Sequence, residues 1–125
     1  DGLDILAVDD DPSILEMVCT ALSQAGAHVR SATSAREALE ALSFQKPDVL
    51  LCDIGMPGQD GYSLIREVRV REVNVQGSVA AVALTAYARP EDRRRALEAG
   101  FHAHIAKPVE PLHLVRVIAA LARNR

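Results

Sequence analysis

The stretch Leu3-Asp4-Ile5-Leu6-Ala7-Val8-Asp9-Asp10-Asp11-Pro12 decides the fold class, because it changes character at one point. Leu3–Val8 is almost continuously apolar, the pattern of a strand buried on both faces. Asp11 then suits a helix N-cap and Pro12 the first helical position. Ile14, Leu15, Val18, Cys19 and Leu22 recur at helical spacing, and Gly26 suits the stop. A buried strand passing straight into an amphipathic helix is the first half of a parallel strand–helix–strand unit.

Working outward, the same alternation recurs to the end of the chain. Ala27–Ala32 reads as a second strand, and Ser34 with Glu37 forms a capping-box pattern opening a helix that turns Ala38, Leu39 and Leu42 inward. Pro47 ends that helix, and Val49–Cys52 is the third strand. Met56-Pro57-Gly58-Gln59-Asp60-Gly61 reads as a loop, before a helix marked by Leu64, Ile65 and Val68. Its end is left open, since Val70, Val73 and Val75 continue the β-branched run to Gly77. Val79–Leu84 is the fourth strand, and Pro90 starts a strongly polar helix stopping near Gly100. A short strand over about His102–Ala106 is followed by a helix from Pro111 with Leu114, Val115, Ile118 and Leu121 on one stripe. Such alternation argues for α/β architecture, a five-stranded parallel sheet with helices on both faces. No linker divides residues 1–125, so one domain is expected; the start on Asp1 rather than Met suggests a piece cut from a longer protein.

Composition narrows the function. The 125 residues carry a net charge of −3, with 3% aromatic residues and no Trp. Nucleic acid and anionic membranes both favour a basic face, and single-stranded bases favour aromatic platforms, so neither is the expected partner. No run approaches the roughly 20 apolar residues of a membrane span. Cys19 and Cys52 sit in apolar segments, as small buried hydrophobes of a reducing cytoplasm.

The strand ends carry the chemistry. Leu3–Val8 runs into Asp9-Asp10, Val49–Cys52 into Asp53, Val79–Leu84 into Thr85, and the last strand into Lys107-Pro108. In a parallel sheet these ends share one edge, where open α/β sheets place their ligands. Crowded carboxylates repel unless a cation sits among them, and Mg²⁺ suits one or two carboxylates with water and phosphate oxygens. Helix capping accounts for Asp11 and for one of Asp9 and Asp10, but not for Asp53. A strand-end carboxylate such as Asp53 can attack phosphorus, or simply form a turn before the Gly- and Pro-rich loop. Of 14 basic residues only Lys46 and Lys107 are lysine, so Lys107 suggests that a compact point charge is wanted; an exposed edge lysine is the plainer reading. Pro108 favours a cis peptide that aims it. Thr85 offers a hydroxyl to a phosphoryl oxygen or to the local backbone. Arg93-Arg94-Arg95, among Glu91, Asp92 and Glu98, reads as a solvated face, and His28, His102 and His113 receive no role.

Together Val8-Asp9-Asp10-Asp11, Asp53-Ile54-Gly55-Met56-Pro57-Gly58 with Asp60-Gly61, Leu84-Thr85-Ala86 and Lys107-Pro108 resemble the receiver domain of bacterial-type response regulators, over essentially the full length. The resemblance implies a flavodoxin-like (βα)5 fold and Asp53 as acceptor of a phosphoryl group from a partner phosphohistidine. It implies Mg²⁺ bound by Asp10, Asp53 and the Gly55 carbonyl, with Asp9 acting mainly through water, and Thr85 and Lys107 on the phosphoryl group. Thr85 would then draw inward and shift the face formed by the fourth helix, fifth strand and fifth helix. His104 stands where the family usually has an aromatic switch residue, and Gly100–Pro108 looks like receivers of hybrid sensor histidine kinases. Gly55 and Tyr87 occupy positions that tune access of water, with Tyr87 expected to shield the acyl phosphate. A histidine kinase or histidine phosphotransfer protein is the implied partner, a homodimer is left open, and this domain is not expected to touch nucleic acid or membrane.

Other readings compete. A stand-alone single-domain regulator shares every motif. A Mg²⁺-dependent phosphatase of the haloacid-dehalogenase kind also uses Asp, Thr and Lys, but needs a second acid where Gly55 stands. A DNA-binding regulator needs a helix-turn-helix after the last helix, and an inert interaction domain does not need the intact acids, Thr85 and Lys107. The expected domain is a phosphoacceptor rather than a turnover enzyme.

Overall fold

A computed structural model describes residues 2–55, 60–72, 79–86 and 89–123. Strands and helices alternate as β1 Asp4–Val8, α1 Pro12–Gln24, β2 His28–Ala32, α2 Ala35–Phe44, β3 Val49–Asp53, α3 Gly61–Arg71, β4 Ala80–Thr85, α4 Pro90–Ala99, β5 Ala103–Ala106 and α5 Pro111–Arg123. The strands form one parallel sheet in the order β2-β1-β3-β4-β5. This is the flavodoxin-like (βα)5 arrangement. Strand order reverses between β1 and β3, so a crevice opens between their C-terminal ends.

Side chains alternate across a strand, and that alternation splits the core into two layers. Leu6, Val8, Leu50, Cys52, Ala81 and Ala83 pack with Leu64, Ile65 and Val68 of α3 and Ala96 and Ala99 of α4. Ile5, Ala7, Leu51, Val82, Leu84 and Ile105 pack with Leu15, Val18 and Leu22 of α1 and Leu114 and Ile118 of α5. β3 and β4 are buried at every residue, which is why their sequences read as unbroken apolar runs. Each fully buried Leu or Ile contributes ~2 kcal/mol of apolar transfer.

The capping residues act largely as their types suggest. Asp11 accepts the Ser13 N–H at 2.9 Å and Ser34 accepts the Glu37 N–H at 3.1 Å. The capping box is displaced by one residue: the Glu37 carboxylate takes the Thr33 N–H at 2.8 Å rather than that of Ser34. α2 ends at Phe44, ahead of Pro47, because the Gln45 backbone turns extended and its carbonyl accepts from Arg30 at 2.8 Å. α3 ends at Arg71; Val73, Val75 and Gly77 lie outside the described residues, as do Met56–Gln59. Cys19 is only half-buried, whereas Cys52 is buried, and both are free.

Gly61 corrects the loop reading, since it is the first residue of α3, with Asp60 as N-cap to Ser63 at 2.9 Å. A Cβ on Gly61 would stand 2.6 Å from Ile54 Cα and 2.8 Å from the Asp53 carbonyl oxygen. Only hydrogen fits there, and the contact fixes the segment that follows Asp53. At the opposite edge of the sheet, His102 has a role that its sequence did not suggest. Its Nδ1 accepts the Ala81 N–H at 3.0 Å while its own N–H reaches the Ala81 carbonyl at 2.8 Å, so the ring continues the β4–β5 ladder below β5. Arg69 braces this end by donating to the Gly100 and Val79 carbonyls, each at 2.8 Å.

Candidate functional site

Register brings the strand ends level. Val8 is the last β1 partner of β3, opposite Cys52, so Asp9 follows at the level of Asp53 across the crevice. Side-chain alternation then sets direction. Asp9, Asp53 and Lys107 share the parity of Ala7, Leu51 and Ile105, which face α1 and α5. Thr85 and His104 share the parity of Ala83, which faces α4. The three charged groups therefore converge on one side of the edge while Thr85 and His104 lie on the other.

The convergence is close. Lys107 Nζ lies 3.3 Å from Asp9 Oδ2 and 3.3 Å from Asp53 Oδ1. Asp9 is 1% exposed and Asp53 5%, so neither carboxylate is freely hydrated. Asp9 Oδ1 accepts the Asp11 N–H at 2.9 Å, and Asp53 Oδ1 accepts the Gly55 N–H at 3.1 Å. Asp9 Oδ2 is buried without a hydrogen-bond donor; the ammonium stands at ion-pair distance only. Asp10 is exposed, and one oxygen from each of Asp9, Asp10 and Asp53 falls within 4.8 Å of the others.

Burial pushes the Asp9 carboxyl above its ordinary value, and the Asp53 charge adds to this; the Asp11 N–H and Lys107 oppose without cancelling it. Burial would lower Lys107, but the Asp53 and Asp9 charges outweigh it and hold the ammonium above its usual range. Burial pushes the Cys52 thiol up as well, so the sulfur beside Asp53 is an inert neighbour that donates to the Asp53 carbonyl at 3.3 Å.

Three carboxyl groups face one ammonium, so the cluster holds more acid than the lysine can balance. With a buried oxygen lacking a donor and an all-oxygen ligand set, the residues fit a small hard divalent cation. Thr85 ends β4, is 3% exposed, and its carbonyl accepts the Lys107 N–H at 2.7 Å. The Lys107–Pro108 peptide is cis. His104 is half-buried on β5 against α4, and Tyr87 lies outside the described residues. Arg93, Arg94 and Arg95 are exposed, as a solvated face requires, and Arg95 in addition stands 4.2 Å over the Tyr62 ring.

An open doubly wound sheet with paired acids, a facing acid and a lysine at its C-terminal edge defines a class of phosphoacceptor switches. The chain belongs to the response regulator receiver domain family, whose model matches residues 5–119. It is 46% identical over 93% of its length to an uncharacterised 14.6 kDa protein of Leptolyngbya boryana, covering 87% of that protein. It is 34% identical over 98% of its length to the phosphate regulon transcriptional regulatory protein PhoB of Pseudomonas aeruginosa, but spans only 53% of that relative. It is also 34% identical over 91% of its length to the sensor protein GacS of Pseudomonas syringae, spanning 13% of it. A crystal structure of a putative response regulator from Chloroflexus aurantiacus superposes with a TM-score of 0.89 at 36% identity, covering 98% of this chain and 99% of that one. The chain is therefore a receiver domain of two-component signalling with a phosphoacceptor role.

Proposed function

We propose that Asp53 receives the phosphoryl group, from a phosphohistidine on a histidine kinase or histidine phosphotransfer protein, in a Mg²⁺-dependent reaction. The observation carrying this reading is the Lys107 ammonium, 3.3 Å from both Asp9 and Asp53 at the β1/β3 crevice. An Asp53 oxygen attacks phosphorus as the P–N bond breaks, and the bonding pair leaves on the imidazole nitrogen, which takes a proton from solvent. Asp10, Asp53 and the Gly55 carbonyl would hold Mg²⁺ directly and Asp9 through water, the ion supplying charge neutralisation and Lewis-acid polarisation. Lys107 exchanges a carboxylate for a phosphoryl oxygen, and as a compact cation it needs no fixed angle to do so.

The acyl phosphate adds about −1.5 to −2 charge at the strand edge. The Thr85 hydroxyl turns to a phosphoryl oxygen and leaves its place on the α4 side of the sheet. His104 shares that sheet face with Thr85, and its ring moves into the space vacated, shifting the α4–β5–α5 surface between two arrangements. Tyr87 shields the acyl phosphate from water.

Residues 1–125 act as one receiver domain, by preference within a cytoplasmic hybrid histidine kinase, as the likeness to GacS favours. The Leptolyngbya relative, of which this chain covers 87%, favours a stand-alone regulator as the second reading. Among the described residues no helix is long and apolar enough to cross a membrane. Incubation with acetyl phosphate followed by intact-mass measurement tests the chemistry. One phosphoryl adduct is expected, dependent on Mg²⁺ and lost in Asp53→Asn. An adduct that survives Asp53→Asn, or forms equally in a chelator, refutes it.

A further inference from the structure

Phe44 ends α2 and is 87% exposed, whereas the other described aromatic rings, Tyr62 and Phe101, are 5% and 3% exposed. A phenyl group left in water forgoes the transfer gain that the buried side chains collect. Beside it, between the C-terminal ends of α2 and α3, a cavity of about 230 Å³ opens over Leu42, Val68 and Val79, with the exposed Ser43 on its rim. An apolar cavity of about 150 Å³ is enough to take a benzene ring. Phe44 does not reach its own cavity: at 100° per residue its side chain leaves α2 about 160° away from that of Leu42.

The groove continues between the two helices past Leu39, and its charges balance. Arg36, Lys46 and Arg71 stand with Glu40, Glu67 and Glu72. Arg36 pairs with Glu40 at 3.5 Å, Arg71 with Glu67 at 2.8 Å, and Glu72 with Arg69 at 2.8 Å. Two copies of a chain of net charge −3 repel overall, but three bases against three acids make this face neutral. A strongly charged partner finds no surplus of either sign here. A second copy brings a neutral face and an exposed phenyl of the right size.

We propose that the α2–α3 groove is a self-association surface, on which Phe44 of each copy seats against Leu42, Val68 and Val79 of the other. A two-fold contact uses the same patch twice, so both exposed rings are covered at once. An aromatic side chain buries about 150–250 Å², so two supply only part of the ~1,200 Å² or more of a stable interface, and the association is weak. Val79 leads into β4 and Thr85 ends it, so this surface lies at the end of the sheet away from Asp53 and does not depend on the phosphoryl reading.

Sedimentation velocity of the chain from about 10 μM to about 1 mM tests it. A monomer–dimer equilibrium with a Kd on the order of 100 μM is expected. Phe44→Ser removes the ring and Ser43→Lys puts a charge over the cavity; each should weaken association about tenfold or more. Both positions are exposed, so both variants should melt like the parent. Mixed in equal amounts, the two variants should associate more tightly than either alone, since their heterodimer keeps one intact ring-in-cavity contact. A parent that stays monomeric at about 1 mM overturns the proposal and leaves the groove to another occupant. Dimerisation of Ser43→Lys at the parent's strength, or a mixture no tighter than its components, overturns it as well. Uptake of the Asp53 phosphoryl group should be unchanged in Phe44→Ser, which keeps failure of this surface distinct from failure of the Asp53 reading.

Discussion

Replacing Lys107 by Met keeps the aliphatic stem and removes the charge that holds two buried carboxylates together. At 3.3 Å each ion pair is worth about 5 kcal/mol of gross attraction at an effective dielectric near 20. The net loss is smaller, because Lys107 is 23% exposed and water enters where the ammonium was. Protonation sets a ceiling. Relative to an unfolded chain, where a carboxylate titrates near 3.9, folding with one carboxylate neutralised costs about 4 kcal/mol at pH 7 and about 1.5 kcal/mol at pH 5. The protein takes that route once repulsion between Asp9 and Asp53 exceeds it.

Lys107→Met should therefore lose ~2–4 kcal/mol at pH 7 and no more than ~1.5 kcal/mol at pH 5. For a chain of this length that is a fall in Tm of roughly 6–15 °C at neutral pH. Urea denaturation followed by circular dichroism at both pH values measures it. Added Mg²⁺ should narrow the gap between parent and variant, since a divalent cation substitutes for the missing charge. A loss under about 0.5 kcal/mol at pH 7, or an equal loss at both pH values, would refute the view that the ammonium balances a strained pair of acids.

Gly61→Ala should cost ~2–3 kcal/mol, because the new methyl meets backbone at 2.6 Å rather than a flexible side chain, and it should slow formation of the Asp53 adduct; unchanged denaturation and adduct kinetics would contradict the packing described. Burial, and then Arg69, hold the His102 imidazole below its ordinary value, so its contribution is complete above about pH 6.5 and is lost as pH falls further. His102→Gln, which keeps an acceptor for the Ala81 N–H, should flatten that stability–pH slope, whereas His102→Ala should lose ~1–2 kcal/mol at pH 7. On the proposed reading Mg²⁺ should raise the Tm of the parent and Asp10→Asn should abolish that rise; an equal rise in the variant would remove Asp10 from the proposed metal site.

The fold was legible because burial and capping signals agreed along the first half of the chain and at the central strands. β3 and β4 are buried on both faces and read as unbroken apolar runs, while Asp11 and Ser34 sit as caps just before amphipathic stripes. Strand ends differ from the expected ones by a residue because the ladder, not the apolar run, defines them: β3 includes Asp53 and β4 includes Thr85. Gly61 was misread as loop for a similar reason. Glycine after Asp60 signals a turn locally, and its actual cause is the Ile54 backbone, a tertiary contact with no trace in the neighbouring residues. His102 was passed over because its partner is a main-chain N–H, which carries no residue identity for a sequence to display.

Collecting Asp9, Asp53 and Lys107 was legible as an edge, but their meeting needed more than an edge. A register slipped by one residue would send Lys107 to the α4 face and leave two buried acids without a cation. Parity between three strands is thus what turns four sequence fragments into a site. The same parity separates Thr85 and His104 onto the opposite face, the side of the sheet where α4 lies. On the proposed reading, chemistry and readout occupy two faces of one strand edge, and Thr85, one residue beyond the Asp53 partner Leu84, connects them.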